Sequence, residues 1–340
     1  MEILDTLKMR NSGERLYQVS LILLVATGVC LCQSVKSGSS GPVLGYKLVD
    51  WPTQAQSVAG APAGPWNFIQ APAVAVISNG NIIVLHRGAH PIMEFEPGGK
   101  FVRSWGDRLI SEGKVVSVAP QLRRPGSSGY SAVYGPAGCT SCGAHSVRTD
   151  PDGNLWVVDA TGHIVYKMNQ GRVTMRIGRQ GVSGMGHDTF NLPTDVAFGS
   201  NGDIYVSDGY GNARVVKYSK DGKYILQWGR RGSGPGEFQL PHNLVVDSRD
   251  RVYVTDRDNR RVQVFDSSGK FLSQWPTETG VSTLLLTKDQ KIWAGGVLRN
   301  LDGTVVGRLP ETGGHGTAVT ASGDVYLGQL SGIVQKFVKQ

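Results

Sequence analysis

GSNGDIYVSDG, Gly199–Gly209, joins a turn signal to a strand-like alternation of apolar and polar residues. The phrase recurs along the chain. Ser78–Arg87 reads SNGNIIVLHR, Asp150–Ala160 DPDGNLWVVDA and Asp247–Arg257 DSRDRVYVTDR. Thr287–Val297 reads TKDQKIWAGGV and Ala321–Leu330 ASGDVYLGQL. An apolar strand such as HNLVVD precedes most copies, RVQVFD-like strands follow, and a fourth such as FLSQWP often closes the unit. Four short strands in each of six units, at about 49 residues per unit from Tyr46 onward, are the signature of an all-β, six-bladed β-propeller. YKLVDW, Tyr46–Trp51, precedes the first unit. It is expected to supply the outer strand of the last blade, so that an N-terminal strand closes the ring and removes a free sheet edge.

Composition agrees. The 340 residues hold 46 glycines, roughly twice the usual share. They show no collagen period and no helical heptads. An apolar content of 40% excludes wholesale disorder. The net charge of +8 is spread along the chain and not gathered into a basic run. It reads as ordinary surface charge, with electrostatic attraction of anionic substrates as the sharper alternative. Without a Lys/Arg run interleaved with aromatics, no nucleic-acid partner is expected.

Val19–Cys32, VSLILLVATGVCLC, is a 14-residue apolar run preceded by Lys8, Arg10 and Arg15 and followed by a polar stretch. It is short for a membrane span and has the size of a signal-peptide core. The expected organisation is a signal peptide over 1–32, a linker over 33–45 and the propeller over 46–340. The product would be exported, periplasmic or secreted, with no stable membrane span after cleavage; an uncleaved anchor is the alternative. Cys139 and Cys142, in GCTSCGAH, are expected to close a local disulfide in an oxidising compartment, and metal binding by these thiols is the minority view. Residues 107–144, rich in Gly, Pro and Ser, form a long connection between blades, either a lid or a plain surface excursion. GRRGSGPGEF, Gly229–Phe238, lacks the Lys-Ser/Thr of a phosphate loop and reads as a blade connection.

Counting back eleven residues from the anchors Ile83, Trp156, Tyr205, Tyr253, Trp293 and Tyr326 reaches Pro72, His145, Thr194, His242, Ser282 and His315. Histidine thus occupies alternate blades. With seven His in the chain, chance would fill three of six such positions in roughly one column in several thousand. The column opens the innermost strand of each blade, so three imidazoles about 120° apart would converge on the axis. Three His plus an open position is the arrangement of a catalytic zinc site. A single His would more often cap a strand; three in alternate blades favour metal. Antiparallel pairing puts the ends of the second strands on the same face. There the recurring Asp159, Asp208 and Asp256 read as turn-holding residues, whereas Arg87, Arg257 and Tyr210 break the repeat. Two Arg and one Tyr beside a zinc suit an anionic substrate and a proton transfer.

Gly229–Phe238 and DRDNRRVQVF at Asp256–Phe265 resemble NHL repeats. VLHRGAH at Val84–His90, PTDVAFGSNGDIYVSDGYGNARVVKY at Pro193–Tyr218 and LPHNLVVD at Leu240–Asp247 resemble peptidyl-α-hydroxyglycine α-amidating lyase, the zinc enzyme forming the lyase half of peptide-amidating proteins. The likeness runs from about Val74 to Phe337. It implies His145, His242 and His315 as zinc ligands, Tyr210 as the catalytic tyrosine, and Arg87 and Arg257 as active-site arginines. It implies cleavage of an N-acyl or peptidyl α-hydroxyglycine to a primary amide and glyoxylate; the chain length leaves no room for the copper monooxygenase half, and a monomer is expected. Two departures stand out. Gly316 replaces an aspartate that ligates the family's structural calcium, so calcium is uncertain here. Gly211, Tyr253 and Val264 stand where family disulfide cysteines can be matched. The competing functions are a non-catalytic NHL propeller binding a protein or glycan, and a zinc lyase or hydrolase for another hydroxy acid.

Overall fold

The structure, a computed structural model, describes residues 41–52, 68, 70–111, 115–117, 130–132 and 143–340. They form six four-stranded antiparallel sheets. The first blade runs Ala73–Val76, Ile82–Leu85, Ile92–Phe95 and Phe101–Trp105 from axis to rim. The inner strands of the other five are Ala144–Thr149, Asp195–Phe198, Pro241–Val246, Leu284–Leu286 and Gly316–Val319. Each inner strand contacts those of its two neighbours, and the sixth returns to the first. Tyr46–Val49 pairs with Val334–Lys339 as the outer strand of the sixth blade, closing the ring as the sequence led one to expect.

The repeat phrase folds as it does for local reasons. Its turn needs one residue in the left-handed region. Gly80, Gly153, Gly202, Asp250, Gln290 and Gly323 take that place in the six blades, with φ between 57° and 91°. The second strand that follows is buried from end to end in blades one to four, which explains its run of Val, Ile and aromatic residues. The anchors carry polar handles that find partners: Trp156 donates to Asp150 at 2.9 Å and the Tyr253 hydroxyl to Asp247 at 3.1 Å.

The core is not one mass. Among the described residues, six apolar clusters form a circle, each between facing sheets of adjacent blades, and a seventh lies outside the strands at Ala160, Leu192, Tyr210 and Leu240. Val158, Val206 and Val216 lie in the cluster joining blades two and three, and Leu244, Val254 and Phe265 in that joining three and four. Asp159, Asp208 and Asp256 hold turns as expected. Asp208 accepts the Asn191 amide and the Arg214 guanidinium; Asp256 accepts the Gln239 and Leu240 amides. These bonds pin each incoming connection to the end of a second strand.

The long connection over 107–144 contains a short antiparallel pair, Val115–Ser117 with Tyr130–Ala132. Residues 1–32 and the Cys139–Cys142 pair lie outside the described residues, as does most of that connection. Among the described residues, no helix is long and apolar enough to cross a membrane.

Candidate metal centre

The three column histidines meet on the axis. Their ring centroids form a nearly equilateral triangle with sides of 4.8, 4.8 and 4.7 Å. Their candidate ligand nitrogens lie within 4.8 Å of one another, and all three residues are buried. Two features of the backbone aim them there. His145 falls at a register shift between Ala144 and Ser146, and His242 at one between Pro241 and Asn243. Each is the extra residue of a β-bulge, freed from the ladder and turned inward.

The other three members of the column orient the rings. His145 Nδ1 donates to the Thr194 carbonyl at 2.6 Å, His242 Nδ1 to Ser282 at 2.9 Å and His315 Nδ1 to Pro72 at 2.9 Å. Each acceptor is the column residue of the next blade. A proton held on Nδ1 by a carbonyl leaves the Nε2 lone pair facing the axis, an arrangement common to metal-bound histidine. The imidazoles are neutral at ordinary pH. Burial, with the neighbouring His315 imidazole and the Arg87 charge behind it, drives His145 well below the usual range. Burial and Arg257 do the same to His242. Burial and Arg87 bring His315 down to about 3.

The donor set therefore fits zinc. Tetrahedral zinc with Zn–N near 2.05 Å would place the nitrogens about 3.3 Å apart. From at most 4.8 Å, each nitrogen needs to move inward by no more than roughly 0.8 Å, a side-chain adjustment. Calcium finds less. Gly316 offers no carboxylate, and a Cβ there would stand 2.5 Å from Ala73 Cα, so the backbones of blades six and one pass too closely for aspartate. Among the described residues, the His triad is the one group of three His, Cys, Asp or Glu close enough to hold a metal.

Tyr210 stands over the triad. Its hydroxyl is 3.2 Å from both His145 Nε2 and His242 Nε2. Its ring, 3% exposed, packs with Ala160, Leu192 and Leu240. The turn that delivers it is tight, because a Cβ on Gly209 would strike the Pro241 carbonyl at 2.0 Å. Arg231 also braces it, donating to the Tyr210 carbonyl at 3.3 Å.

The two arginines differ. Arg257 lies 5.9 Å over the Tyr210 ring and donates to Asp258 at 2.8 Å. Burial opposes its charge, yet Tyr210 and Asp258 outweigh burial and raise its pKa. Arg87 is 1% exposed; it donates to the Ala144 carbonyl at 3.3 Å and to the Gln70 side chain. All six residues expected from the sequence thus gather around one end of the axis. Column reasoning missed the carbonyls of Thr194, Ser282 and Pro72, although the same count reached those residues. It also missed Arg148. The residues paired with the anchors read Ala75, Arg148, Ala197, Val245, Leu285 and Ala318, and the lone charge was the available signal.

Fold and centre together define a six-bladed β-propeller with three buried histidines converging on its axis. Known proteins agree with the propeller part of that description. A family described as "6-bladed beta-propeller" matches residues 195–293. The chain is 36% identical over 213 residues to the peptidylglycine alpha-amidating monooxygenase of Rattus norvegicus, covering 59% of this chain and 21% of that protein. It is 31% identical over 233 residues to peptidyl-alpha-hydroxyglycine alpha-amidating lyase 1 of Drosophila melanogaster, covering 63% and 41%. NHL repeat-containing protein 3 of Homo sapiens is 34% identical over 165 residues, covering 45% and 48%. The chain thus spans about a fifth of the rat protein and less than half of the fly enzyme. The resemblance to amidating lyases and NHL proteins read from the sequence is borne out. Among solved structures, a streptogramin B lyase superposes with a TM-score of 0.55 at 12% identity, covering 87% of this chain and 98% of that one. The virginiamycin B lyase of Staphylococcus aureus gives 0.54 at 10%, covering 86% and 98%. At such identities these two speak for the fold alone.

Proposed function

We propose that this protein is a zinc-dependent lyase that cleaves the C–N bond of an N-acyl or peptidyl α-hydroxyglycine, releasing a primary amide and glyoxylate. The observation that carries the reading is the convergence of three neutral imidazoles, one tyrosine hydroxyl and two arginines at one end of the propeller axis. The fly relative bears the name of that activity, a peptidyl-alpha-hydroxyglycine alpha-amidating lyase, which supports the reading.

His145, His242 and His315 would hold the zinc through Nε2. Bound there, zinc supplies Lewis acidity that lowers the pKa of a substrate hydroxyl. Tyr210 takes or relays the proton of that hydroxyl. Arg257, whose side chain is about a quarter exposed, holds the substrate carboxylate. Arg87, sealed beneath the surface, lends its positive charge to the site. As the hydroxyl oxygen becomes a carbonyl, the electrons of the C–N bond leave with nitrogen. Nitrogen takes up a proton and departs as the primary amide. In this reading the chain is an exported monomer acting on a small or peptide substrate.

The test is metal analysis joined to turnover. Purified protein loaded with zinc should retain about one zinc per chain and release glyoxylate from α-hydroxyhippurate; His242→Ala should lose both. Zinc-loaded wild type without glyoxylate release defeats the lyase assignment and favours another hydroxy-acid substrate. A folded protein that takes up no zinc defeats the metal centre and favours a non-catalytic NHL propeller.

A further inference from the structure

Directly beneath the histidines a guanidinium fills the axis. Arg148 leaves the inner strand of blade two, three residues after His145. Its Nε and Nη2 donate to the two carboxylate oxygens of Asp195, at 3.1 and 2.6 Å. The same Nη2 reaches Asn243 Oδ1 at 2.7 Å and the Leu284 carbonyl at 3.0 Å. Asp195, with no exposed side-chain surface, also accepts the Ser146 hydroxyl and, at 3.1 Å, the Leu244 amide. Asn243 Oδ1 accepts the Leu284 amide at 2.6 Å. One ion pair thereby ties the inner strands of blades two, three, four and five across the channel.

Its place relative to the bulges matters. A bulged residue has no ladder bond to fix it, so its direction depends on where the ladder resumes. It resumes at Ser146 after His145 and at Asn243 after His242. Both belong to the hydrogen-bond network of Arg148 and Asp195. Asp195 directly follows Thr194, whose carbonyl orients His145. We infer that Arg148, Asp195 and Asn243 form the positioning layer of the metal centre, fixing the two bulged histidines at the separation a metal requires. The inference rests on the proposed metal centre and on no particular substrate. Outer residues of this kind commonly change metal affinity 10–100-fold.

Removing one partner of a buried pair strands the other, so a single truncation would confuse folding with positioning. The double variant Arg148→Met/Asp195→Leu removes both charges together and puts apolar side chains in their place. Arg148→Lys keeps the charge and loses the fork that reaches several acceptors at once. The readouts are melting of the metal-free protein, zinc affinity by chelator competition, and the visible spectrum of the cobalt-substituted protein. Both variants should melt near wild type when metal-free, bind zinc 10–100-fold more weakly, and shift the cobalt absorption bands. Wild-type zinc affinity and an unchanged cobalt spectrum in folded variants would overturn the inference and leave the metal centre standing. A wild type that binds no zinc would instead bring down the centre itself. Should the double variant fail to fold, Arg148→Lys decides the matter on the same readouts.

Discussion

Replacing Tyr210 by Phe removes one oxygen from the centre and nothing else. The ring stays packed with Ala160, Leu192 and Leu240, so its apolar burial is unchanged. The lost hydroxyl sits 3.2 Å from two imidazole nitrogens. A hydrogen bond of that kind contributes about 0.5–1.5 kcal/mol to stability, so the variant should remain folded. The effect on turnover should be much larger. General acid–base assistance is worth about 10²–10⁴-fold, or roughly 2.7–5.4 kcal/mol of barrier at 1.36 kcal/mol per decade. In the proposed centre the three histidines supply the metal ligands, so Tyr210→Phe should keep its zinc. The assay is steady-state release of glyoxylate from α-hydroxyhippurate, with zinc content and melting measured on the same preparation. The expected result is a kcat reduced at least a hundredfold at full zinc occupancy. A kcat equal to wild type refutes the proton-transfer role and leaves the lyase assignment intact. Loss of zinc together with activity refutes the division of labour, because the hydroxyl would then be holding the metal.

Two further outcomes follow from the same geometry. Arg257→Ala should raise KM about ten- to a hundredfold with a smaller change in kcat, the cost of a lost charge-assisted contact of roughly 1.5–3 kcal/mol; an unchanged KM would remove Arg257 from carboxylate binding. His86 is held neutral, chiefly by burial, with a pKa lowered to about 4; its Nε2–H donates to the His90 carbonyl at 2.9 Å, and its Nδ1 accepts the Gly88 amide at 3.3 Å. Below its ordinary value near 6.5 the unfolded chain binds a proton that the folded chain refuses, so stability falls with pH from about 6.5 to about 4, by roughly 1.4 kcal/mol per unit. His86→Gln should flatten the melting temperature against pH over that window relative to wild type, and parallel curves would show that His86 is not titrating there.

Sequence alone determined the architecture because a propeller is a repeat. Each phrase from SNGNIIVLHR to ASGDVYLGQL must supply the same left-handed turn residue and the same buried second strand. Every local choice is therefore written six times, and the strand Tyr46–Val49, lying ahead of the first phrase, could be placed as the one that closes the ring. Repetition made the site legible for the same reason. His145, His242 and His315 share a column, so symmetry carried them to one axis. Tyr210, Arg87 and Arg257 showed themselves by breaking the pattern at strand ends. What tertiary structure decided has no such register. Whether an imidazole faces the axis or the next sheet depends on one extra residue at Ala144–Ser146 and at Pro241–Asn243, a backbone choice that the residue types do not announce. The carbonyls of Thr194, Ser282 and Pro72 orient the rings whatever their side chains are, so residue identity could not reveal them. Arg87 and Arg257 look alike in the chain, yet packing seals the first against Gln70 and leaves the second beside Tyr210. Arg148 meets Asp195, Asn243 and Leu284 only because ring closure brings strands up to 136 positions apart onto one axis. Side-chain contacts between blades are set by that closure, and closure is a property of the whole ring.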